Sequence, residues 1–167
     1  MSMPKHLLAT QLHVALTFLG LHVEEEPLGS NLGYWVREFQ KDTGLNKGDA
    51  WCMAFVYSCH KIACDMQRIK NPYLKRTGQC KRQWLYAMND TPRLSIITTA
   101  DMVAGDKAPD GSVWIRYDAA GRGHTGFVYD HDPKTNTLKS IEGNASDKVK
   151  AREYIITNIP TFKGVIV

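Results

Sequence analysis

Gly48-Asp49-Ala50-Trp51-Cys52-Met53-Ala54-Phe55-Val56 is the stretch on which the fold turns. Before it, Leu45-Asn46-Lys47-Gly48-Asp49 is polar and turn-forming. After it, Ala54, Phe55, Tyr57, Ser58, Ile62 and Met66 follow at helical spacing. The pattern predicts a helix from Cys52 to about Gln67, with a cysteine in its first turn. Backbone N–H groups point outward there and the helix dipole is positive, and both favour a thiolate. A nucleophilic cysteine needs a base and a group that orients the base. The C-terminal half supplies Gly123-His124-Thr125-Gly126-Phe127-Val128 and then Ile141-Glu142-Gly143-Asn144.

Working outward toward the N-terminus, residues 5–20 read as an amphipathic first helix. Gln11 and His13 interrupt its apolar run, and no small-x-small cleavage site precedes Glu24-Glu25-Glu26. A helix is therefore expected rather than a signal peptide, and action outside the cytoplasm would need another route of delivery. Residues 21–31 form a loop broken by Pro27 and Gly29. Ser30 or Asn31 can cap a second helix over 32–43, with Leu32, Trp35, Val36 and Phe39 on one face and Gly44 ending it.

Working toward the C-terminus, Arg68 to Arg82 holds six basic residues and no acidic one. It reads either as a solvated surface or as a rim that attracts an anionic polymer. No nucleic-acid-binding motif is present, so no nucleic-acid partner is expected. Gln83–Asn89 suggests a short helix. After Pro92 the character changes. Ser112–Tyr117, Thr125–Tyr129, Thr137–Ile141, Glu153–Ile156 and Lys163–Val167 are β-rich runs separated by turn signals. Helices first and strands second imply an α+β fold, with N-terminal helices packed on a C-terminal antiparallel β-sheet.

A chain of 167 residues with a net charge of +4 fits one domain over 1–167 and is compatible with an anionic partner. No apolar run is long enough for a membrane span. The four cysteines, Cys52, Cys59, Cys64 and Cys80, show no zinc-ligand spacing. Cys59 and Cys64 read as small core residues, and a disulfide at Cys80 stays open. Asp42–Met53 is not an EF-hand, because Gly44 and Met53 stand at ligand positions. Asp106–Gly111 also lacks the oxygen ligands. Neither a metal nor a cofactor is expected.

A lone cysteine is most often an inert buried thiol. Here the predicted helix start at Cys52, the predicted strand start at His124 and the turn-rich surroundings of both point to a nucleophile and its base. Gly123 and Gly126 let backbone and substrate approach the imidazole closely. Either Glu142 or Asn144 could accept the Nδ1–H of His124 and fix its tautomer, and strand alternation would put both on one face. The Cys52 backbone N–H is the expected oxyanion donor. Asp49, Trp51 and Gly123 are the candidate substrate-contacting neighbours.

The three blocks, Gly48-Asp49-Ala50-Trp51-Cys52-x-Ala54-Phe55-Val56, Gly123-His124-x-Gly126-x-Val128 and Ile141-Glu142-Gly143-Asn144, resemble the CHAP amidases and endopeptidases of the NlpC/P60 papain-like superfamily. The similarity runs from about residue 10 to 145. It implies a papain-like fold and cleavage of amide bonds in bacterial peptidoglycan through a thioester. Cys52 would be the nucleophile, His124 the base, Glu142 its orienter and Asn144 a fourth polar member. The bond would be the N-acetylmuramoyl-L-alanine amide or one within the peptides. A calcium-binding acidic loop and a separate wall-binding domain are both missing from the pattern. That favours a phage endolysin or a secreted antibacterial effector, made in the cytoplasm and acting in the periplasm or on the wall, with an immunity or inhibitor protein as a candidate partner. The alternatives are a non-catalytic wall-binding module and a cysteine amidase or protease on a non-wall substrate.

Overall fold

The computed structural model describes residues 1–90 and 93–167. Pro92, where the composition changes, lies outside them. Four helices come first: α1 (Lys5–Gly20), α2 (Tyr34–Thr43), α3 (Cys52–Met66) and α4 (Cys80–Asn89). Next come β1 (Ile96–Thr98) and the short α5 (Thr99–Val103). The remaining strands are β2 (Val113–Tyr117), β3 (Gly123–Asp132), β4 (Thr137–Glu142), β5 (Lys150–Ile155) and β6 (Phe162–Ile166). All six strands form one sheet in the order β1-β6-β2-β3-β4-β5, with every pairing antiparallel. The chain is an α+β protein.

Strand alternation gives the sheet two apolar faces. On one face, Val113, Ile115, Phe127 and Ile141 pack against Leu7, Phe18, Phe39 and Phe55 from the first three helices. Phe55 touches both layers, with its ring 5.5 Å from Phe39 and 6.3 Å from Phe127. On the other face, Trp114, Val128, Leu138 and Phe162 join Met102 and Ile156, with Trp114 stacked on Phe162 at 5.7 Å. Burying each of these large side chains contributes about 1.5–3 kcal/mol, so the sheet is fixed from both sides.

Most predicted elements stand within a few residues of their expected bounds. Three differences have physical causes. Helix α2 is capped at Gly33 (φ 126) instead of Ser30 or Asn31. Asn31 is itself left-handed, with its N–H donated to Glu25 Oε2 at 2.8 Å and its carbonyl accepting from Gln40 Nε2 at 3.0 Å. β1 and α5 were not expected, being too short for periodicity to show, although Thr98 and Asp101 form a capping box. β5 begins three residues before its expected start, because Lys150–Arg152 lie on an exposed edge strand and carry no apolar alternation.

The basic segment 68–82 is partly structural. Arg76 donates from Nε to the Asp42 carbonyl at 2.7 Å and from Nη2 to the Lys41 carbonyl at 3.2 Å, covering the C-terminal end of α2. Among the described residues, no helix is long and apolar enough to cross a membrane.

Candidate active site

Cys52 is the first residue of α3, as the apolar periodicity required. The first helical hydrogen bond runs from Phe55 N–H to the Trp51 carbonyl at 2.9 Å. The amides of Cys52 and Met53 therefore lie outside the helix ladder, where the Met53 N–H helps lower the Cys52 thiol. The loop before Cys52 is held rigidly. Asp49 Oδ2 accepts from Asn46 N–H at 2.8 Å, and the Asp49 carbonyl accepts from Gln40 Nε2 at 2.8 Å.

His124 is the second residue of β3. Its Nε2 lies 2.8 Å from Glu142 Oε2, and its ring meets Trp114 edge-on at 5.7 Å. A carboxylate only accepts, so Nε2 carries the proton of that bond and Nδ1 is the nitrogen left for the thiol. The expected pairing through Nδ1 is thus corrected to Nε2. Glu142, at the end of β4, is fully buried. It also accepts from Tyr154 Oη at 3.0 Å and from the Ser140 hydroxyl. Three donors fix the carboxylate, and the carboxylate fixes the imidazole.

Cys80, the first residue of α4, completes the group with its sulfur 4.0 Å from Cys52 Sγ. Hydrogen bonding to Cys80 is the largest influence lowering the Cys52 thiol well below its ordinary value. Burial opposes it, and the hydrogen bond and charge of His124 add to it. The same contact, together with burial, pushes Cys80 well up, which favours Cys80 as the S–H donor toward Cys52. Burial pulls His124 down, but the Cys52 and Glu142 contacts outweigh it and raise the imidazole to about 9. The two shifts run in the directions that favour a thiolate on Cys52 and an imidazolium on His124.

Two expected members lie elsewhere. Asn144 stands past the end of β4 with a φ of 54, so strand alternation no longer places its side chain beside Glu142. Its amide accepts from Trp51 N–H at 3.2 Å and donates to Glu25 Oε1 at 3.3 Å, with the Asn31 amide at 3.1 Å. It anchors the loop before Cys52 and does not orient His124. Trp51, expected to contact substrate, is fully buried, stacked on Phe39 at 5.9 Å and donating from Nε1 to Glu25 Oε1 at 2.9 Å. It is a core residue, and its N–H, already bound, is unavailable to an oxyanion. Asp49 is half-buried, with Oδ2 engaged in its own turn. Gly123 does line the site: its carbonyl lies 4.0 Å from Cys52 Sγ, and a Cβ there would meet Cys80 Cβ at 2.6 Å.

The sequence reading missed Cys80, Ser140, Tyr154 and Glu25. Ser140 could have been found by alternation two residues before Glu142. Cys80 could not, because only the fold brings the N-termini of α3 and α4 together. The other cysteines are free buried thiols, with burial pushing Cys59 well up and Cys64 to about 11. Among the described residues, no group of three or more His, Cys, Asp or Glu side chains could hold a metal ion. No protein-family model, curated protein or solved structure matches the chain.

Proposed function

We propose that this chain is a papain-like cysteine hydrolase that cleaves amide bonds of bacterial peptidoglycan. The observation that carries the reading is the series Cys52–His124–Glu142, built at a helix N-terminus with the thiol lowered and the imidazole raised. In the first step the Cys52 thiolate attacks the amide carbonyl carbon, and the unpaired Cys52 N–H faces the developing oxyanion. His124 then gives its Nδ1 proton to the leaving amine, which departs and leaves a thioester on Cys52. In the second step neutral His124 takes a proton from water, the hydroxide releases the acid, and the ion pair is restored. Glu142 holds the ring in one orientation throughout and stabilises its charged form.

The substrate class rests on the resemblance of the three sequence blocks to the CHAP enzymes, and the basic face is compatible with an anionic wall. Use by a phage at lysis or by a secreted effector, with an inhibitor protein guarding the producer, belongs to the same reading. Acid-quenched mixtures with soluble muropeptides test it by intact mass. The protein should carry the acyl fragment on Cys52, and Cys52→Ala should not. Turnover with no adduct on Cys52, or turnover by Cys52→Ala, would refute the role of the thiol.

A further inference from the structure

Arg116 on β2 lies directly across the ladder from His124 on β3. Paired positions put their side chains on one face, with Cβ atoms about 5 Å apart. On its other side, the β2–β6 register shifts between Ile115 and Arg116, so the sheet is irregular at this position. Arg116, Asp118, Arg122, Gly123 and Thr161 line a cleft of ≈ 200 Å³. Gly123 borders both the cleft and the nucleophile, its carbonyl lying 4.0 Å from Cys52 Sγ.

The charge in the cleft is unbalanced. Asp118 is already used by Arg122, whose Nε donates to Oδ2 at 2.8 Å and whose backbone N–H donates to Oδ1 at 2.9 Å. Arg116 has no carboxylate partner among the described residues. Its Nε is buried with no acceptor. The Nε is closed to a ligand, so a carboxylate entering the cleft would meet the Nη groups of the half-buried fork. Lys81 and Arg82 line a second cleft with Ala120 and Gly121.

We propose that this cleft is a carboxylate-binding subsite, in which Arg116 holds a free carboxylate of the peptide substrate beside the amide bond that Cys52 attacks. The inference rests on the hydrolase reading above and narrows it to acidic peptides. The planar fork of arginine suits the two oxygens of a carboxylate, which the point charge of lysine does not match. Stem peptides of peptidoglycan carry such carboxylates, and amidating them removes the charge that Arg116 would bind.

The probes are the stem peptide L-Ala-γ-D-Glu-L-Lys-D-Ala with its carboxylates free, and the same peptide with them amidated. Calorimetry on full-length Cys52→Ala measures binding without turnover. The free peptide should bind about tenfold to a hundredfold tighter than the amidated one, as one charge-assisted hydrogen-bond pair requires. Adding Arg116→Ala should erase the difference and Arg116→Lys should restore part of it. With wild-type protein the preference should appear in KM. Equal binding of the two peptides, binding of neither at millimolar concentration, or an Arg116→Ala effect confined to kcat and equal for both would overturn the subsite. The comparison of two peptides on one protein does not depend on any Arg116 variant folding. If the free peptide binds selectively but no amide is ever cleaved, the hydrolase reading fails while the subsite stands. If both are cleaved alike, the reverse holds.

Discussion

Replacing Glu142 by glutamine removes one charge from the centre of the site and almost no volume. With Gln Oε1 in the place of Glu142 Oε2, it can still accept from Tyr154 and His124 while the amide NH2 donates to the Ser140 hydroxyl, so the fold should survive. The loss falls on His124, whose raised pKa draws on Glu142 through both a hydrogen bond and its charge. A charge-assisted hydrogen bond is worth about 1.5–3 kcal/mol and a neutral one about 1, a difference of about 1–2 kcal/mol. At 1.36 kcal/mol per unit, the His124 midpoint should drop by roughly one unit. NMR titration of ring-labelled histidine should place it at about 9 in the wild type and near 8 in Glu142→Gln. A His124 midpoint that stays put or rises in Glu142→Gln would refute the claim that the carboxylate sustains the imidazolium.

Other outcomes follow from the same geometry. Cys80→Ala removes the S–H donor 4.0 Å from Cys52, so the pH midpoint of Cys52 alkylation should move up, by more than in Cys80→Ser. Gly126→Ala would place a Cβ 2.6 Å from the Ile141 carbonyl and 2.7 Å from Glu142 Cγ. Thermal melting should report about 1–3 kcal/mol of lost stability, and the His124 midpoint should fall as Glu142 shifts. Asn144→Ala should lower Tm but leave the His124 midpoint unchanged, which separates an anchor of the Trp51 loop from an orienter of the base. In stability against pH, the raised His124 contributes fully below its ordinary 6.5 and is lost as pH rises through about 9. The lowered Cys52 contributes above its ordinary 9.0 and is lost as pH falls through its depressed value. The two slopes oppose each other between 6.5 and 9, so wild-type Tm should be nearly flat there, as thermal melts across that range would read.

The sequence made the α+β order visible, because α1, α2 and α3 carry long apolar stripes and β2, β3 and β4 are dense in β-branched and aromatic residues. Cys52, His124 and Glu142 were legible because each stands at the end of such an element, next to glycine or turn residues. Trp51 was misread because its place next to Cys52 made it a candidate substrate contact. Its burial depends on Phe39 and Glu25, which are distant in sequence. Asn144 was misread because alternation was carried past the point where β4 ends and the backbone turns left-handed. Cys80 was invisible for a different reason: two helix N-termini converge on Gly123, and nothing local in either helix encodes that meeting.

The central claim, that Cys52 hydrolyses amide bonds of the wall, is tested most directly by digesting purified sacculi with the wild-type protein and with Cys52→Ala, and identifying the released fragments by mass spectrometry. The account predicts new paired amine and carboxyl ends made by the wild type alone, at one defined bond. Equal release by both proteins, or release by neither from sacculi of several wall types, would contradict it.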